Sequence, residues 1–193
     1  MIKSKADYYE YLKQDEIANG FKSSGIFQTI VNIITPNPIK VFLKRLRKAE
    51  YYKNTKSNIF SKAFYFYLRY LLKKSSVKLG FSIPENVFGP GLALVHYGTI
   101  VVNNKTKVGK NCRMHAGVNI GASGGEKEAP QLGDNVYIAP GAKIYGNISI
   151  PNNTAIGANA VVNKSFEEEN TVIAGIPAKV IGKVDIKKII RHV

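Results

Sequence analysis

Two histidines carry the chemistry open to this chain. His96 follows the apolar run Leu92-Ala93-Leu94-Val95, and His115 follows Met114. An imidazole titrates close to neutral pH, so its free form can take a proton from a hydroxyl group. That step turns a weak nucleophile into a competent one. His192 reads as part of a terminal tail. The single cysteine, Cys112, falls where a small core residue is needed and reads as filler. No Cys/His spacing suits a structural zinc, and no phosphate-binding Gly motif is present, so no metal is expected.

The elements that position the histidines come from a six-residue period. Aliphatic residues fall at Val108, Met114, Ile120, Leu132, Ile138, Ile144, Ile150, Ile156 and Val162. Small or β-branched residues follow four positions later, as at Cys112, Val118, Val136 and Ala142. Gly, Asn, Asp and Pro occupy the positions between. A helix or a simple strand does not ask for this period. Sandwich strands recur at wider intervals. A parallel β-helix does ask for it: each rung supplies one face of a triangular coil, and three rungs close a turn. The earliest rungs read as Ile83, Gly89 and Val95, then Val102, which leaves one extra residue beside His96. His96 would then follow its rung residue as His115 follows Met114. The two rings are expected on one face, one coil (~4.8 Å) apart.

The period skips once, between Ile120 and Leu132. The intervening Gly121-Ala122-Ser123-Gly124-Gly125 must bulge from the coil, and its glycines let backbone approach a ligand closely. Backbone N–H groups there, or near Gly98, are candidates to hold an oxyanion. Glu126 and Glu128 are candidates to assist the base. Ala139, Gly157 and Ala158 leave room beside the coil.

The charge is uneven. The chain carries 28 Lys and Arg against 13 Asp and Glu, a net +15. Residues 1–80 hold 16 basic against 5 acidic residues (+11), and residues 81–193 hold 12 against 8 (+4). Residues 1–80 read as a helical, basic N-terminal region, with helices at 7–17, 24–34, 39–53 and 59–74. The last of these is apolar almost all round. Residues 81–165 read as the coil and 166–193 as a C-terminal extension. The basic, aromatic stretch 40–78 suits packing in an oligomer, an anionic membrane surface or a polyanion; no nucleic-acid module is present. No run is long and apolar enough to span a membrane, and the N-terminus lacks a signal-peptide core. A cytoplasmic protein is expected, with the inner membrane face as a further place for it.

Three segments resemble the hexapeptide-repeat acyltransferases, in particular their serine acetyltransferase branch. Leu94-Val95-His96-Tyr97-Gly98-Thr99-Ile100-Val101 looks like the block around the family's catalytic histidine. Gly117-Val118-Asn119-Ile120-Gly121 and the Gly-rich loop look like its coenzyme A loop. Ala174-Gly175-Ile176-Pro177-Ala178-Lys179 looks like its C-terminal signature. The resemblance implies a mainly β chain built on a left-handed parallel β-helix, a homotrimer, and acetyl-CoA in clefts between subunits. It implies His96 as general base. His115 is a partial substitute for a second histidine. Gly121, Ala122, Ser123, Gly124, Ala139 and Ala158 then lie along the coenzyme, with Lys164 and Lys179 near its phosphates. Two positions depart from the family: Ser82 stands where an aspartate pairs with the catalytic histidine, and Ala129 stands at the second histidine. With these departures the expected acceptor is a sugar hydroxyl of surface polysaccharide synthesis. The alternatives are L-serine, in cysteine biosynthesis, and a non-catalytic scaffold.

Overall fold

The computed structural model describes residues 1–21, 34–125 and 127–193. The expected helix at 24–34 lies outside these apart from its last residue, as does Glu126. Among the described residues three helices precede the coil: α1 (Lys5–Ala18), α2 (Pro38–Thr55) and α3 (Ile59–Leu79). Each begins at a side-chain cap. Ser4 Oγ accepts from Asp7 N–H, Asn37 from Ile39 and Lys40, and Asn58 from Ser61, meeting donors that helix starts leave unpaired. Pro38 sits at the first helical position of α2, where its missing N–H costs nothing. α3 runs five residues past its expected end, because the polar pair Ser75-Ser76 is tolerated inside it. It stops only at Gly80, which takes the left-handed conformation (φ 75°).

From Phe81 onward the chain winds a triangular coil. Its first face stacks β1 (Phe81–Ser82), β3 (Ile100–Val102), β6 (Asn119–Gly121), β9 (Lys143–Tyr145) and β12 (Val161–Val162). The second stacks β4 (Lys107–Val108), β7 (Gln131–Leu132) and β10 (Ser149–Ile150). The third stacks β2 (Ala93–Leu94), β5 (Arg113–Met114), β8 (Tyr137–Ile138), β11 (Ala155–Ile156) and β13 (Thr171–Gly175). These strands pair in parallel, and a last strand, β14 (Ala178–Lys183), returns antiparallel against β13. The fold is the left-handed parallel β-helix, mainly β, with a helical N-terminal region. Its core is three aliphatic columns, such as Leu94, Met114, Ile138, Ile156 and Ile173 on the third face, all 2% exposed or less.

The register corrects two early rungs. Leu94, not Val95, pairs with Met114, and Phe88, not Gly89, bridges Val108. The step to Val102 is therefore eight residues, so two extra residues sit beside His96 rather than one. The run Leu92–Val95 is apolar throughout, which hid the phase. The C-terminal tail forms a 3₁₀ turn (Ile186–Lys188), with Ile186 and Ile190 buried against Ala155 on the third face.

A buried charge cluster docks the helices onto the coil. Arg47 is fully buried, and Asp15 and Glu50 are each 2% exposed. The Arg47 guanidinium donates to both Asp15 oxygens (2.8 and 3.2 Å), to Glu50 (3.1 Å), and to the carbonyls of Phe88 and Gly89 (3.0 and 2.8 Å). Asp15 also accepts from Gly91 and Leu92 N–H, both at 2.9 Å. Burial alone would favour losing the arginine's proton; Asp15 and then Glu50 more than offset it and hold the pKa above its ordinary value. Nearby, Asn19 donates to Leu92 C=O and accepts from Leu94 N–H, fixing the strand that leads to His96.

Candidate active site

His96 and His115 lie at the corner where the third face turns into the first. His115 follows Met114 directly; its N–H donates to Ile138 C=O and its column contains Val95 and Ala139. His96 is two residues past Leu94, so the two histidines do not share a column as expected. The extra residues nevertheless bring the rings to 6.2 Å between centroids, tilted by 57°. His96 is exposed and His115 half-buried. Tyr137 packs edge-on against His115 at 5.4 Å. Burial, then the Arg113 and His96 charges, lowers the His115 pKa, so this ring stays neutral at pH 7.

Sequence reasoning missed three neighbours. Arg113 and Tyr137 project outward from β5 and β8, in register with each other. His192, read as plain tail, is half-buried, with its Nε2 enclosed and unpaired. Its pKa is lowered by burial and then by Arg113. Only the alternation of inward and outward residues along each rung could have flagged Arg113 and Tyr137. His192 needs the fold of the tail.

The Gly-rich loop occupies a different corner, between the first and second faces. Gly121 ends β6 opposite Tyr145. Ser123 lines a hollow of about 270 Å³ with Tyr145, Asn147 and Asn163. Gly124 and Gly125 are exposed, with φ of 34° and 91°. Ala139 is 6% exposed and shares the histidine corner with the exposed Ala158. Lys164 is exposed over the Phe166 ring, and Lys179 is exposed on β14. Within one chain these candidate residues therefore fall into two groups, candidate half-sites: His96, His115, Ala139 and Ala158 at one corner, Gly121–Gly124 at another. A larger cavity, about 790 Å³, opens between α3 and the first coil and includes neither histidine.

Gly98 is not available as an oxyanion donor, because its N–H donates to Leu79 C=O at 2.9 Å. Ser82 is exposed on β1, and Ala129 is fully buried. Cys112 is fully enclosed, and burial pushes its thiol up to about 12, which removes it as a nucleophile.

Residues 129–164 match the family model described as bacterial transferase hexapeptide, six repeats. The serine acetyltransferase of Staphylococcus xylosus is 32% identical over 179 residues, covering 90% of this chain and 79% of that one. That of Staphylococcus aureus strain N315 is 40% identical over 100 residues, 51% of this chain but only 46% of its own length. Among solved structures, the serine acetyltransferase of Brucella abortus strain S19 superposes with a TM-score of 0.69 at 25% identity, covering 94% of this chain and 72% of that one. The same enzyme in complex with coenzyme A gives 0.69 at 26% identity, covering 93% and 70%. With the histidine corner, the stacked rungs and these relatives together, the chain belongs to the hexapeptide-repeat acyltransferases, in their serine acetyltransferase-like branch.

Proposed function

We propose that this protein is a serine O-acetyltransferase that uses acetyl-CoA. The observation that carries the reading is the paired His96 and His115 on a coil whose relatives act on serine. His96, exposed at its corner, takes the proton from the acceptor hydroxyl. The freed oxygen attacks the thioester carbonyl, and the C–S bond breaks as the new ester forms. The proton then passes from His96 to the departing thiolate. His115, neutral and braced by Tyr137, orients the acceptor.

Coenzyme A complexes of relatives support acetyl-CoA as the co-substrate. Ala139 and Ala158 leave space for its arm, and Lys164 and Lys179 offer cations to its phosphates. The two half-sites support a homotrimer, in which the loop corner of one copy meets the histidine corner of the next. Backbone N–H groups of Gly121–Gly124 would then serve the oxyanion across the interface.

A sugar hydroxyl is the second reading, favoured by Ser82 and Ala129 at the family's acidic and second histidine positions. The relatives lend it no support, and serine leads. Acetyl-CoA consumption with L-serine, set beside a panel of nucleotide sugars, tests the assignment. Turnover with serine is expected; turnover with a sugar alone replaces the acceptor, and none with any acceptor removes the enzyme reading.

A further inference from the structure

Helix α3 has two apolar faces, and the fold uses one. Leu68, Leu72 and Leu79 are buried in the main core. At 3.6 residues per turn, Ile59, Ala63, Phe66, Tyr70 and Val77 fall in one narrow stripe on the opposite side. That stripe is open: Ile59 is 73% exposed, Phe66 64%, Tyr70 59% and Val77 76%, and Phe60 beside it is 85% exposed. Lys62, Arg69 and Lys73 line one margin of the stripe, and Lys74 and Lys78 line the other. Across its 21 residues α3 contains five basic side chains and no acidic one.

Three occupants compete for this face, and charge decides among them. A second copy laid helix on helix would set two basic margins against each other; the one carboxylate near them, Glu85 beside Arg69, is already held by Lys53 and Tyr65 of its own chain. A polyanionic chain would satisfy the lysines but gains nothing from Phe60, Phe66 or Val77. An anionic bilayer satisfies both. Aromatic and aliphatic groups sink to the boundary between headgroups and acyl chains, while lysine stems reach back to the phosphates. Three of the four lysines of α2 are engaged with carboxylates, Lys40 and Lys44 facing Glu16 and Lys53 pairing with Glu85 at 2.8 Å, and the fourth, Lys48, lies over the Phe64 ring. No described helix is long and apolar enough to cross a membrane, so the contact is one of lying on the surface.

We infer that the outer stripe of α3 seats this protein on the surface of membranes rich in anionic lipid. The inference stands apart from the acetyl-transfer reading, because the outer stripe of α3 holds none of the residues assigned to that reading.

The full chain is mixed with vesicles of phosphatidylcholine alone, or of phosphatidylcholine with phosphatidylglycerol, and sedimented. Binding to the anionic vesicles only, weakened by salt, is expected. Phe66→Ser/Tyr70→Ser/Val77→Ser should abolish sedimentation while circular dichroism, oligomer size and turnover in solution stay as in the parent. Lys73→Gln/Lys74→Gln/Lys78→Gln should weaken partitioning on the order of a hundred-fold, at roughly a fivefold loss for each lysine near an anionic surface. No binding of the parent chain overturns the inference. So does retained binding after the stripe is removed, which would mark a charge-only polyanion site. A smaller assembly in the stripe variant, with vesicle binding unchanged, would reassign the face to contact between copies.

Discussion

Two corners of the same triangle are built on opposite rules. Where the second face turns into the third, the corner is closed by its own side chains. Asn111 donates to Asn135 and Asn135 to Asn153, each at 2.9 Å. All three hold left-handed backbone, φ 56–57°, which asparagine tolerates better than most residues. Above them the column ends at Gly91, where a Cβ would collide with the Asn111 side chain. Asp15 and Arg47 cap that end. Where the third face turns into the first, the corner holds His96 and His115 instead, in different columns, and these rings are not spent on one another. A corner whose polar groups satisfy each other holds the coil together; one whose groups face outward is left free to act.

The largest effect that tests this contrast is on rate. His96→Ala should lower acetyl transfer by ~10²–10⁴ with the melting temperature unchanged. Loss of the fold instead would break the contrast. Next is the capped end of the asparagine column. Arg47→Ala leaves Asp15 and Glu50 as uncompensated buried carboxylates, and chemical denaturation should show a loss of about 3–5 kcal/mol. Within the ladder, Asn135→Ala removes two side-chain hydrogen bonds and strains the left-handed turn, at about 1–3 kcal/mol. Its activity per folded molecule should match the parent, and a selective loss of turnover would show the two corners to be coupled.

The smallest effect sharpens the histidine corner. His115 and His192 titrate lower in the folded chain than when free. As pH falls through the free value near ~6.5, the unfolded chain binds protons first, so stability is complete above that pH. It declines below it and levels off once the folded rings also charge. Thermal melts between neutral and mildly acidic pH should therefore decline, and His115→Gln should shallow that slope. An unchanged slope would move the cause to His192.

Much of the coil was legible because inward positions recur at six residues and turn residues fill the gaps. From Val108 to Val162 every rung named from sequence lies in the core. The phase failed only where apolar residues run on without a break, at Phe88-Gly89 and Leu94-Val95. The two half-sites were less legible. Sequence placed His96 and the Gly loop at breaks in the period, with His115 one coil from His96, but the period alone did not show that the two breaks lie at different corners. The docking cluster was invisible, since Asp15, Arg47 and Gly91 meet only through tertiary structure. The outward stripe of α3 was visible as an apolar helix; which side faced the core was not.

The antiparallel turn of β14 has a consequence for the molecule's size. A stack of parallel rungs has no natural length: its last rung offers a row of unpaired backbone groups on which another chain could continue. Here the strand after β13 reverses, and an antiparallel edge no longer offers the spacing that a further parallel rung requires. At the other end, Gly80 C=O accepts from Ile100 N–H and Leu79 C=O from Gly98 N–H, so the first rung grows out of a helix rather than lying open. The coil is thus stoppered at both ends, and a repeat that could have grown into a fibre remains a particle of fixed height.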